Sequence, residues 1–279
     1  MKPRIVAVDL DGVIYFGSSP VADANVAIKR IRKMDIRIAF VTNNSRESRS
    51  QIQAKLGRFD IDANMEDIYA PASAIGFLLR RIHDLEEIQA LVIGSEDFKN
   101  ELSSLAMEIV DSPHCDYVIV ALDREFDYIK LSKAMNALQN GARLIVCNRD
   151  RRVPVENGNY LPACGAIAIA LEYASEIEAQ YEVGKPDTLF LEMIASNFGA
   201  KPWEILVVGD GLESDVLMAN RYGSPSVWIS HDRLPRGNDA EDCLLRPTFA
   251  LKSITDLPSM LENEFTPNVS PWYPRSRNA

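Results

Sequence analysis

The chain has 279 residues, 47% of them hydrophobic and 25% charged, enough for one large domain or two smaller ones around a substantial core. Its formal net charge of −10 argues against a nucleic-acid partner, and no apolar run approaches the ~20 residues of a membrane span. The four cysteines are scattered without a Cys-x-x-Cys pair, which fits reduced thiols rather than disulfides or zinc, and the three isolated histidines (His83, His114, His231) leave no histidine metal cluster.

In chain order, the first apolar run, Arg4 to Val8, reads as a buried strand of a parallel sheet. It begins so early that no signal peptide fits before it, and a cytoplasmic protein is expected. The run stops at Asp9 and Asp11, spaced i, i+2, and Gly12 allows a sharp exit. Ala24, Ala27, Ile28, Ile31 and Met34 then repeat at helical spacing. Ile36 to Val41 is a second buried strand, so residues 4–41 form a βαβ unit. That strand ends in Thr42-Asn43-Asn44-Ser45, with Asn44 and Ser45 read as caps of a helix running to about Leu56. A short strand near Ile68-Tyr69 and a helix from Pro71 to about Ile82 come next.

The rhythm then restarts. Ala90 to Gly94, Tyr117 to Ala121 and Ala142 to Val146 read as strands, alternating with helices that run to about Ala106, over Asp127–Gln139 and over Gly165–Ala174. This is a second α/β block set into the first, with hinges near residues 83–88 and 179–184. After Gly184-Lys185-Pro186, the residues Leu189, Phe190, Met193, Ile194 and Phe198 share one helical face. The strand Ile205 to Val208 ends in Gly209-Asp210-Gly211-Leu212-Glu213-Ser214-Asp215. A helix to about Tyr222 and a strand Val227 to Ile229 close the sheet, and Phe265 to Ala279 is an irregular tail.

Three apolar strands thus end in residues able to handle a phosphate or a cation: Asp9 and Asp11, Thr42 and Asn43, and Asp210 with Asp215. In open α/β sheets ligands bind outside the carboxyl ends of the strands. Paired carboxylates there are costly unless a cation or a reaction needs them. The chemistry they suit is phosphoryl transfer, in which charge must be neutralised before a carboxylate can approach a phosphate ester. Mg²⁺ on hard oxygen ligands supplies that, and Lys185 adds a point charge. Taken singly, Asp210 is equally a helix N-cap, Glu213 is read as a solvated first-turn residue, and His231 as a surface residue.

These motifs, in this order, resemble the haloacid dehalogenase superfamily: Asp9-Leu10-Asp11-Gly12-Val13, Thr42-Asn43, Lys185, and Gly209-Asp210 through Asp215. Val120-Ala121-Leu122-Asp123-Arg124 with Tyr128, then Cys147-Asn148-Arg149-Asp150 and Gly184-Lys185-Pro186, resemble its branch of NagD-like and p-nitrophenyl-phosphatase-like enzymes. The resemblance implies a Rossmann-like, doubly wound parallel-sheet core (residues 1–84 and 184–279) with an inserted α/β cap (residues 85–183) that selects the substrate. It implies that Asp9 attacks phosphorus to give an aspartyl-phosphate, and that Asp11 protonates the leaving oxygen and then deprotonates water. Thr42 and the Asn43 backbone amide would hold the phosphoryl group, and Lys185 would bind it and orient Asp9. Mg²⁺ would sit on the Asp9 side chain, the Asp11 backbone carbonyl and Asp210, with Asp215 positioning a metal-bound water or Lys185. Because dehalogenases lack the second aspartate, Asp11 favours a phosphatase.

The expected activity is therefore Mg²⁺-dependent hydrolysis of a small phosphorylated metabolite such as a sugar phosphate, glycerol phosphate, nucleotide or pyridoxal phosphate. A phosphotransferase using the same intermediate, and a low-turnover phosphate-ester binding protein, are the alternatives. Relatives with this cap often form dimers, so a homodimer is one assembly to test. Asn148, Asp150, Arg151 and Arg152 are open between turn-forming and substrate-contacting roles. Tyr128 and Asp123 are read as cap packing and hydrogen bonding rather than catalysis. Relatives usually carry Pro-Gly where this chain has Pro162-Ala163, which raises the question of that loop's shape.

Overall fold

The computed structural model of the protein describes residues 2–83, 88–154, 160–231 and 243–263. The expected tail from Phe265 lies outside them. Contacts gather the chain into two units, one of Met1–Val41, Lys55–Ile68 and Leu191–Ala279, the other of Thr42–Ala54 and Tyr69–Phe190.

The first unit is built on a sheet with strand order Phe249–Leu251, Ser226–Ile229, Ile205–Gly209, Ile5–Asp9, Arg37–Val41, Ile68–Tyr69. Its central strand, Ile-Val-Ala-Val-Asp, is buried at every position. A strand covered on both faces must be apolar throughout rather than alternating, and this one is until the aspartate. Ile5–Asp9 pairs in parallel with Ile205–Gly209 on one side (Ile5 opposite Ile205) and Arg37–Val41 on the other (Asp9 opposite Val41). The chain therefore leaves the central strand in both directions across the sheet. Ile5–Asp9 and Ile205–Gly209 flank the topological switch point, where α/β sheets open a crevice at the strands' carboxyl ends. The sheet does not close at Val227–Ile229 as expected. Phe249–Leu251 adds a further parallel strand outside it.

The second unit has a five-stranded parallel sheet of order Tyr181–Glu182, Arg143–Val146, Tyr117–Val120, Ile88–Ile93, Met107–Ile109. Tyr117–Val120 is fully buried at its centre. The helices start where side chains satisfy their first N–H groups: Ser95 accepts from the Phe98 N–H and Asp127 from the Lys130 N–H. Pro71 opens the helix Pro71–Ile82, a position where its missing N–H costs nothing. An antiparallel hairpin of Arg152–Pro154 with Tyr160–Pro162 precedes the helix Cys164–Ser175.

Two local expectations change. The helix after Thr42 begins only at Arg49. Asn44 Oδ1 accepts the Arg46 and Glu47 N–H groups in a turn, Ser45 Oγ accepts the Leu122 N–H, and Ser48 Oγ accepts the Gln51 N–H. Ser48, not Asn44 or Ser45, caps the helix. Ala163 sits at φ −105°, an extended conformation that needs no glycine, so the loop accommodates the Pro-Ala sequence without strain. Among the described residues no helix is long and apolar enough to cross a membrane.

Candidate active site

In the first unit, Asp9 ends the central strand and is 7% exposed. Asp210 follows the neighbouring strand Ile205–Gly209, and Asp215, 2% exposed, lies in the π-helical turn Leu212–Val216 that comes next. The wide turn arises where both the Asp215 and Val216 N–H groups bond the Gly211 carbonyl. Each of the three aspartates offers one carboxylate oxygen within 4.8 Å of the other two. At an effective dielectric constant of about 20, each like-charged pair at that separation costs about 3 kcal/mol. A cation would remove that repulsion, and an all-carboxylate donor set suits a hard divalent ion such as Mg²⁺.

The surrounding backbone is shaped to hold the group. Gly12 has φ +82°, and a Cβ there would lie 2.6 Å from the Asp210 carboxylate, so both the turn and the packing require glycine. The Gly12 N–H bonds the Tyr15 carbonyl at 2.8 Å, closing the loop that carries Asp11. Asp11 itself is exposed, and its carboxylate is not part of the three-membered group. Asp215 Oδ2 accepts the Gly211 N–H and the Ser214 hydroxyl, each at 3.1 Å, which gives both residues a part in orienting the carboxylate.

In the second unit, Thr42 is 2% and Lys185 4% exposed. Asn43 joins them through its side chain. Its Oδ1 accepts the Lys185 N–H at 2.8 Å and its Nδ2 donates to the Lys185 carbonyl at 3.1 Å, so one amide pairs with both backbone groups of one residue. Thr42 Oγ1 accepts the Asn44 N–H at 3.1 Å. The expected set is thus gathered as Asp9, Asp210 and Asp215 within one unit and Thr42, Asn43 and Lys185 within the other.

Sequence reasoning undervalued three residues. Trp228 Nε1 donates to the Asp210 carbonyl at 3.0 Å. His231 is not a free surface residue. Its Nε2 lies 2.6 Å from the Gly12 carbonyl, which can only accept, so Nε2 carries the proton. Its ring packs on Phe16, centroids 5.2 Å apart. Asn148 is 4% exposed and donates to the Asn43 carbonyl at 2.8 Å. All three bond main-chain atoms, which leave no signature in a sequence. Of the other candidates, Tyr128 is 82% exposed and so is not packed, while buried Asp123 pairs with Lys130 at 2.7 Å. Arg152 lies over the Tyr160 ring at 4.0 Å, within its own hairpin, and Arg151 is exposed.

Two buried thiols sit in the second unit. Burial, with a smaller contribution from neighbouring Cys164, holds the Cys147 thiol well above its ordinary range, and burial pushes that of Cys164 up to about 11, so both remain protonated and unreactive at neutral pH.

Residues 6–108 match a family model described as haloacid dehalogenase-like hydrolase, and residues 182–257 match a second model of the same kind. The chain is 29% identical over 263 residues to the sugar-phosphatase AraL of Bacillus subtilis, covering 94% of each protein. It is 25% identical to the solved p-nitrophenyl phosphatase from Archaeoglobus fulgidus, with a TM-score of 0.83 over 93% of this chain and 99% of that one. A glycerol phosphate phosphatase from Mycobacterium tuberculosis, solved in complex with magnesium, is 26% identical, with a TM-score of 0.82 over 93% of this chain and 78% of that one.

Proposed function

We infer that this chain, which belongs to the haloacid dehalogenase-like hydrolases and is a phosphoric monoester hydrolase, cleaves a small phosphorylated metabolite with the help of Mg²⁺ and a phosphorylated aspartate. The observation that carries the reading is the convergence of Asp9, Asp210 and Asp215 at the switch point of the first unit's sheet. Three carboxylates so close fit a divalent cation, and Asp9 is the one on the central strand.

When bound there, on Asp9, Asp210 and Asp215 with the Asp11 backbone carbonyl, Mg²⁺ neutralises charge on the phosphate and the carboxylates. The chain's own residues supply the rest. An Asp9 carboxylate oxygen forms a bond to phosphorus as the bond to the ester oxygen breaks, and Asp11 gives that oxygen a proton. Asp11, now a carboxylate, takes a proton from water, whose oxygen displaces Asp9 from phosphorus and releases inorganic phosphate. The exposure of Asp11 suits a group that must reach both leaving oxygen and water. The Thr42 hydroxyl and Asn43 backbone amide hold phosphoryl oxygens, and the Lys185 ammonium offsets their charge.

The named relatives act on different alcohols, a sugar, a glycerol and a nitrophenol, which share only the phosphate monoester. Substrate selection is assigned to the α/β block between the core segments. All four cysteines are free, which supports a reducing, cytoplasmic setting. The test is phosphate release from p-nitrophenyl phosphate and a panel of sugar, glycerol, nucleoside and pyridoxal phosphates, with Mg²⁺ and with EDTA. Mg²⁺-dependent release from at least one ester is expected. A folded protein that releases no phosphate from any of them contradicts the reading.

A further inference from the structure

We propose that Asn148, at the end of a strand of the inserted sheet, is a positioning residue for phosphate. It sets the Thr42 hydroxyl through one hydrogen-bond chain and belongs to the same amide cluster that holds Lys185. The proposal rests on the phosphate-handling role assigned to Thr42, Asn43 and Lys185 above.

The geometry lies wholly within the second unit. Asn148 follows the strand Arg143–Val146, and Lys185 follows its parallel partner Tyr181–Glu182, so the pairing delivers both residues at one end of the sheet. Asn148 Nδ2 donates to the Asn43 carbonyl at 2.8 Å, and its Oδ1 accepts the Asp150 N–H at 3.1 Å. The peptide whose carbonyl Asn148 holds is the one whose N–H, on Asn44, donates to Thr42 Oγ1 at 3.1 Å. A hydrogen bond at a peptide's carbonyl polarises its N–H. With Oγ1 engaged as an acceptor, the hydroxyl's single proton is left to donate, which is what a phosphoryl oxygen requires.

The Asn43 side chain extends the cluster in the other direction, to the backbone of Lys185, and its Nδ2 also lies 3.4 Å from Asp150 Oδ2. Space at this junction is fully used. A Cβ on Gly184 would come within 2.3 Å of the Cys147 carbonyl, 2.8 Å of Asn43 Oδ1 and 3.0 Å of Asn148 Cβ. Three segments distant in sequence therefore meet with no room for adjustment. At 4% exposure, Asn148 has no bulk water to replace the bond it would lose. Both of its amide groups are turned to main-chain atoms, which is the pattern of a residue that fixes others rather than touching substrate.

The test uses the full chain carrying Asn148→Asp, which keeps the size and the Oδ1 acceptor but replaces the Nδ2 donor with an oxygen facing the Asn43 carbonyl. The dissociation constant for inorganic phosphate is expected to rise about tenfold, the size of one buried hydrogen bond lost. The value of kcat/KM should fall by a similar factor for p-nitrophenyl phosphate and for glycerol phosphate alike, because the shared phosphate is what has lost its partners. A fall confined to one ester, with phosphate binding unchanged, would make Asn148 a leaving-group contact and overturn the proposal. So would unchanged phosphate binding and turnover. If Asn148→Asp does not fold, Asn148→Ser is judged by the same readouts, and failure of both to fold makes Asn148 purely structural. A wild type that hydrolyses no ester but binds phosphate defeats the assigned activity while leaving the phosphate comparison decisive. One that does neither defeats both.

Discussion

The two clusters are held together by opposite means. In the first unit, Asp9, Asp210 and Asp215 are like charges within 4.8 Å, kept in place by strand ends and by bonds such as those from Trp228 to the Asp210 carbonyl and from Gly211 and Ser214 to Asp215. In the second, Asn43, Asn148 and the Lys185 backbone are joined by hydrogen bonds to neutral amide groups. The carboxylates of the first cluster repel one another where no cation offsets them, whereas the hydrogen bonds of the second contribute to the fold. Substitutions should therefore separate activity from stability in the first unit and lower both in the second.

The largest expected effect is that of Asp9→Asn, which should lower kcat by about 10³-fold or more, the scale seen when a nucleophile is removed. Circular dichroism should show an intact fold, and the melting temperature in EDTA should stay level or rise, because one of three crowded charges is gone. An equally large activity loss with a collapsed melting temperature would erase the contrast between the clusters. Asp210→Ala comes next. It should raise the Mg²⁺ concentration needed for half-maximal turnover about 10- to 100-fold, comparable with or beyond the loss of a supporting group around a metal. An unchanged metal titration would remove Asp210 from the cation's ligands.

His231→Ala sharpens the comparison from within the first unit. Its bond to the Gly12 carbonyl is worth about 1 kcal/mol, so kcat/KM should fall several-fold with little change in melting temperature. His231→Gln, which can still donate, should recover part of the loss. A pH effect is expected in the second unit. The buried Cys164 thiol has an ordinary value of 9.0, raised to about 11 by burial in the folded chain. Because the folded form resists ionisation, its contribution is complete below pH 9.0 and is lost as pH rises towards about 11. Denaturant titrations across that range should show a loss on the order of 2 kcal/mol that is reduced in Cys164→Ala.

What the sequence disclosed follows from which interactions leave a side-chain pattern. Ile5–Asp9 and Ile205–Gly209 were legible because strands buried on both faces are unbroken apolar runs, and Asp9 and Asp210 because polar residues end them abruptly. Pro71–Ile82 was legible from its proline start. Met107–Ile109 and Tyr181–Glu182 were not, since each is short and carries a glutamate that breaks any apolar run. At the candidate site, Trp228, His231 and Asn148 act on carbonyls of Asp210, Gly12 and Asn43. A carbonyl is common to every residue, so only the folded chain reveals which one is used. Ser45 taught the same point in reverse. It looked like a helix cap, yet it accepts the N–H of Leu122, 77 residues away.

The central claim is that Asp9 becomes phosphorylated, and rapid acid quenching of the protein with Mg²⁺ and a turned-over ester tests it most directly. Mass spectrometry after borohydride reduction should find Asp9 converted to homoserine in the wild type, with no such product in Asp9→Asn. Turnover that proceeds with no trapped adduct at Asp9, or with the adduct on another residue, would contradict the account.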